Sequence, residues 1–129
     1  MEKVFKLYSI MSGAAVKKMN GVRGKMVSQG GHGFMHAYWD SEDRFPDDAK
    51  AYRRQTSAFK ITLAVEDEGQ LVALMEKYRP LCGVSLVEER GTKADGSINE
   101  KAQGVTCLGL GPIDADLIGD DLRALKGFL

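Results

Sequence analysis

Cysteine, proline, histidine and tryptophan are all scarce in this chain: two Cys, three Pro, two His and one Trp among 129 residues. Cys82 and Cys107 lie too far apart in sequence for a CxxC metal or redox motif, and two thiols make no disulfide framework; both read as small buried hydrophobes. His32 and His36 share i, i+4 spacing, but no third ligand lies near them in sequence, so no metal and no cofactor is expected. No apolar run approaches the ~20 residues of a membrane span. The opening Met1-Glu2-Lys3-Val4-Phe5-Lys6 lacks the apolar core and cleavage site of a signal peptide. A cytoplasmic protein with no membrane partner is the expectation. Repeats, low-complexity stretches and interdomain linkers are absent too, which leaves one domain over residues 1–129.

What is present is an ordinary globular composition, 43% hydrophobic and 28% charged, long enough to bury its own core. Net charge is zero but unevenly spread: the first 39 residues hold six basic side chains and one acid. Lys17, Lys18, Arg23 and Lys25 gather where the first long helix should begin. Cations beside a helix N-terminus favour phosphate, because the free N–H groups and the dipole act with the side-chain charge. A solvated basic loop is the plainer alternative.

Loose alternation over residues 3–11 predicts a strand, and residues 57–65 and 82–87 predict two more. Ser12-Gly13-Ala14-Ala15 leads into a basic loop ending at Gly21 or Gly24, and residues 24–40 read as a helix with Val27, Gly31, Phe34, Met35 and Tyr38 able to face the core. Gly30, Gly31 and Gly33 should each weaken that helix by about 1 kcal/mol relative to Ala, which points to close backbone packing against a strand or a ligand. Pro46 suits the first turn of a helix through Arg54. Asp67 can cap a helix over 68–78 whose buried stripe is Leu71, Leu74, Met75 and Tyr78. A long polar loop over 91–104, a last strand over 105–110 and a last helix over 114–125 complete the chain. Strands alternating with helices predict an α/β three-layer sandwich: a four-stranded, mostly parallel (mixed) sheet with helices on both faces. Functional loops then lie at the carboxyl ends of strands.

Lys25, Gln29 and His32 fall at i, i+4 and i+7, so all three project from one helical face. A cation, an amide and an imidazole suit a polar ligand better than a core. The stretch Gly24-Lys25-Met26-Val27-Ser28-Gln29-Gly30-Gly31-His32-Gly33, taken with Thr106-Cys107-Leu108-Gly109-Leu110-Gly111-Pro112, resembles the type II peptidyl-tRNA hydrolase family. That family's first helix begins Gly-Lys and carries Gln and His at this spacing, and its late strand runs Thr-x-Leu-Gly-Ile-Gly-Pro. Val84-Ser85-Leu86-Val87-Glu88-Glu89 takes the place of its third strand, and Ala115-Asp116-Leu117-Ile118 with Leu125-Lys126 that of its closing helix.

The resemblance implies hydrolysis of the ester joining a peptide to the terminal ribose of tRNA, with no cofactor, and a homodimer by analogy. It marks Lys25, Glu89, Thr106 and His32 as candidate catalytic residues: Lys25 for a phosphate or the developing oxyanion, Thr106 to orient water or the carbonyl, and His32 as a base. Lys17, Lys18, Arg23, Gln29 and Thr92 are candidates for binding substrate. The chain departs from the family where Asp-Ala-Gly-x-Thr becomes Glu89-Arg90-Gly91-Thr92-Lys93. Its first strand ends without the usual Arg followed by Asp or Asn, and Leu122-Arg123 replaces a closing Thr-Gly. Two functions therefore compete. One is an esterase acting on tRNA. The other is a non-catalytic relative that binds a nucleotide, a nucleotide-derived signal or an RNA end in the same pocket. A third, an adaptor acting through a dimer surface, has no feature of its own.

Overall fold

The computed structural model describes residues 3–89, 95–97 and 104–128. Strand β1 (Phe5–Ser12) leads through α1 (Gly13–Lys18) into the long helix α2 (Arg23–Arg44) and then α3 (Pro46–Arg54). Strand β2 (Phe59–Val65), helix α4 (Glu68–Tyr78), strand β3 (Val84–Glu89) and strand β4 (Gly104–Asp114) follow. A 3-10 turn (Ala115–Leu117), the four-residue α5 (Asp120–Arg123) and a two-residue β5 (Lys126–Gly127) come last.

The five strands form one mixed sheet in the order β3-β4-β1-β2-β5, one more strand than expected. Only β1 and β2 are parallel neighbours; β1–β4, β3–β4 and β2–β5 are antiparallel. The expectation of a mostly parallel sheet is corrected here, and its error has a specific source. The helix-linked strands β1, β2 and β3 do run in one direction, because a helical crossover returns the chain to the same end of the sheet. Strand β4 runs the other way and lies between β1 and β3, so it turns two of the pairings antiparallel.

Alternate residues of β1 enter different clusters, as the strand period of two requires. Tyr8 and Ile10 pack with Leu71, Leu74 and Tyr78 of α4 and with Leu108 and Leu110 of β4. Phe5 and Leu7 pack instead with Ala37 of α2 and Tyr52 of α3. Helix α2 approaches β4 closely through two glycines. A Cβ on Gly109 would overlap the carbonyl oxygen of Gly33, and one on Gly33 would overlap Ser9 Oγ and stand 3.1 Å from Cys107 Sγ.

Local signals set several boundaries as expected. Asp67 caps α4 by accepting from Gln70 N at 3.1 Å, and Pro46 opens α3. The predicted basic loop begins instead as helix α1, because Ser12 caps it, accepting from Ala15 N at 3.3 Å. Asn20 and Gly21, at φ 52° and 79°, turn the chain out of α1 toward α2. The predicted closing helix is broken: Asp114 accepts from Asp116 N to hold the 3-10 turn, and Gly119 N donates to the Tyr78 hydroxyl at 3.0 Å. Cys82 precedes β3 rather than lying within it; both cysteines are free and fully buried. No helix among the described residues is long and apolar enough to cross a membrane.

A candidate active site at the start of helix α2

Helix α2 begins without a side-chain cap. Its N-cap is Val22, its first turn holds no acid, and Arg23 and Lys25 sit there instead. Uncapped N–H groups beside two cations make this end electropositive. Lys17 and Lys18 occupy the last turn of α1 and are exposed, as is Arg23. Lys25 differs from these three. It turns inward, and its Nζ lies 3.1 Å from Glu89 Oε1 at the end of β3.

Glu89 is the less exposed partner, at 15% of its side chain against 31% for Lys25. Its second oxygen, Oε2, is buried and has no hydrogen-bond partner among the described residues. An ionised carboxylate oxygen in that position is a strong acceptor for a water or a substrate hydroxyl.

The second half of the site comes from an irregularity in β4. Val87 pairs with Cys107 and Glu88 with Val105, so Thr106 is an extra residue in the strand. In a regular strand Thr106 and Cys107 would point to opposite faces. The bulge turns both toward α2. The Thr106 hydroxyl donates to Gln29 Oε1 at 2.7 Å, with Val87 O a second acceptor at 3.3 Å, and the Cys107 thiol donates to the Gln29 carbonyl at 3.2 Å. Thr106 is fully buried, so its proton is committed inside the protein. It acts on Gln29: once Oε1 accepts from Thr106, the amide nitrogen is the end that faces away as a donor. Burial pushes the Cys107 thiol up from its ordinary pKa, which keeps it protonated and rules it out as the attacking nucleophile.

Of the residues marked from the sequence, four thus fall into two linked contacts, Lys25 with Glu89 and Thr106 with Gln29. Gln29 follows Lys25 by one helical turn, so the two contacts are neighbours along α2. His32 continues the same stripe but stands exposed, its ring 5.9 Å from that of His36, and no ion pair joins it to Glu89 among the described residues. Lys17, Lys18 and Arg23 lie on the exposed rim. Thr92 lies outside the described residues. The Thr106 bulge, the Val87 carbonyl and the Cys107 thiol were not marked from the sequence, and no local signal announces a bulge there. Among the described residues no three His, Cys, Asp or Glu side chains converge as a metal set would.

A family model described as peptidyl-tRNA hydrolase PTH2 matches residues 14–128, almost the whole chain. Compared with curated proteins, the chain matches none.

Proposed function

The chain belongs to the peptidyl-tRNA hydrolase PTH2 family, and from that premise we propose that it hydrolyses the ester between a peptide and the terminal ribose of tRNA. The observation that carries this reading is the Lys25–Glu89 pair, which leaves Glu89 Oε2 buried and without a partner among the described residues at the electropositive start of α2. A water held by the Glu89 carboxylate attacks the ester carbonyl carbon and gives its proton to that carboxylate. The carbonyl oxygen becomes an oxyanion, stabilised by Lys25 Nζ and the donor end of Gln29. The acyl–oxygen bond then breaks. The peptide departs as a carboxylic acid that gives its remaining water-derived proton to solvent, and the ribose oxygen takes up the proton held by Glu89 as a hydroxyl. The exposed cations Lys17, Lys18 and Arg23 hold the backbone phosphates of the acceptor end. Exposed His32 has no part in proton transfer, and Thr106 is a positioning residue.

The test is release of free tRNA from an N-blocked aminoacyl-tRNA. Wild-type protein should release it, and Lys25→Ala should slow turnover about 100–1000-fold while changing substrate affinity far less, as removal of an oxyanion contact does. Tight tRNA binding without release would replace the hydrolase with the non-catalytic binder.

A further inference from the structure

Helix α2 has a second flank, turned toward β2, and it differs from the ionic one. A groove of about 410 Å³ runs there. Met11 of β1 and Thr62 of β2 contribute to it, α2 gives Met26, Val27 and Phe34, and Phe128 adds to its wall. None of the residues lining it carries a charge. Phosphate has no partner in such a groove, whereas an apolar side chain gains by leaving water.

Two glycines of α2, Gly30 and Gly31, line this groove. Gly33 is required by the close approach of Ser9 on β1 and Cys107 on β4, but an added Cβ at Gly31 meets nothing within 4 Å. At Gly30 the nearest atoms stand at 3.9 Å, an ordinary contact. Each glycine weakens the helix by about 1 kcal/mol relative to Ala with no gain in packing. What they do provide is a bare helical wall along the groove.

The groove and the ionic site are coupled through rigid parts. Met26 is next to Lys25 and Gly30 next to Gln29, so only the width of the helix, ~10 Å, separates the two flanks. Met11 packs against Val87 and Cys107, which contact Thr106 and Gln29 in turn. We propose that this groove receives an apolar side chain of the substrate's peptide one residue removed from the ester, so that the peptide crosses the start of α2 with its tRNA on the cationic rim and its next side chain in the groove. Flexible methionines in the wall allow side chains of different shape to seat there. The proposal rests on the hydrolase reading and assigns it a preference for bulky apolar side chains one residue from the ester.

Gly31→Leu adds apolar bulk to the groove wall at a position where a Cβ meets nothing within 4 Å. The experiment compares kcat/KM on tRNA charged with N-acetyl-phenylalanyl-glycine and with N-acetyl-glycyl-glycine, which differ only in the side chain one residue from the ester. Wild type should favour the phenylalanyl substrate by about tenfold or more, and Gly31→Leu should remove most of that ratio. In parallel, N-acetylphenylalaninamide is titrated into protein carrying ¹³C-methyl methionine. The methyl signals of Met11 and Met26 should shift in wild type and stay still in Gly31→Leu. An unchanged kcat/KM ratio, or methyl signals that do not move in wild type, overturns the groove assignment whatever the activity. Methyl shifts in a wild-type protein that cleaves neither substrate support the groove and overturn the hydrolase reading alone.

Discussion

The two faces of the sheet are built from different materials. Against α4 lies one continuous apolar cluster running from Tyr8 and Ile10 through Leu71, Leu74, Leu108 and Leu110 to Ile118 and Leu122. Against α2 the apolar contacts divide into two small groups, one around Phe5 and Leu7 and one around Met11 and Val87. Buried polar residues accompany them: Ser9, Gln29, Ser41 and Thr106. The described buried side-chain atoms without a hydrogen-bond partner, Ser9 Oγ, Ser41 Oγ and Glu89 Oε2, also belong to the α2 side. Each such atom costs on the order of 1–3 kcal/mol. Stability is therefore concentrated on the α4 face, which offsets the polar burial that the site requires on the other.

Leu71→Ala gives the largest effect expected from this division. Leu71 is fully buried in the α4-side cluster, and its truncation should lower unfolding free energy by about 2–5 kcal/mol in urea titration. Activity per folded molecule should be unchanged. The counterpart on the other face is Thr106→Val, which keeps the shape and removes the hydroxyl. Gln29 Oε1 is then left without its donor, at a stability cost of about 1–3 kcal/mol. Because Gln29 loses its orientation, kcat should fall about tenfold and KM little, with partial recovery in Thr106→Ser. The division between the faces breaks down if Leu71→Ala impairs turnover of folded protein while Thr106→Val leaves it intact.

Much of this was legible in the sequence wherever the cause is local. The buried stripe of α4, its Asp67 cap, the Pro46 start of α3 and the shared face of Lys25 and Gln29 all follow from spacing within a few residues. Strand adjacency is a different matter. The helices between β1, β2 and β3 reveal that these strands run one way, but nothing local reveals that β4 inserts between β1 and β3. Glu89 reaches Lys25 across a large sequence separation, and only the family resemblance put the two in one site; the bulge at Thr106 depends on its pairing with β3 and could not be read beforehand. Periodicity also gives direction without depth. It placed His32 on the same stripe as Gln29, yet one is exposed and the other buried. Likewise Gly33 looks like Gly31 in sequence, and only the approach of β1 and β4 separates a glycine the fold requires from one it does not.

The next effect is smaller and lies on the rim. Lys17 and Lys18 are exposed and outside all three apolar groups, so replacing both with Ala should leave the urea midpoint within error. Binding of tRNA should weaken, and the slope of log K against log salt should flatten by about 0.7–0.9 for each phosphate that is no longer neutralised. An unchanged slope would make these lysines solvent-facing charges only, and would leave Arg23 and Lys25 as the cations at the start of α2 that act on the substrate.

The smallest effect belongs to the α4 face and appears only in alkali. Tyr78 donates to Asp121 Oδ1 at 2.6 Å and accepts from Gly119 N at 3.0 Å, while Lys77 Nζ holds Asp121 Oδ2 at 2.8 Å. These contacts fasten the start of α5 to α4. Burial, and next the bond to Asp121, push the phenol up to about 12 from its ordinary 10. Below pH 10 the phenol is protonated in both folded and unfolded chains, and its contribution to stability is complete. Between about pH 10 and 12 the unfolded chain releases the proton while the folded one retains it, so stability falls as pH rises. Tyr78→Phe removes that proton together with both hydrogen bonds of the hydroxyl. Its urea midpoint should lie below wild type at pH 8, and the gap should narrow steadily from pH 10 upward. Two curves that stay parallel through pH 11.5 would show that the lock does not depend on the neutral phenol, and that apolar packing alone holds α5 to this face.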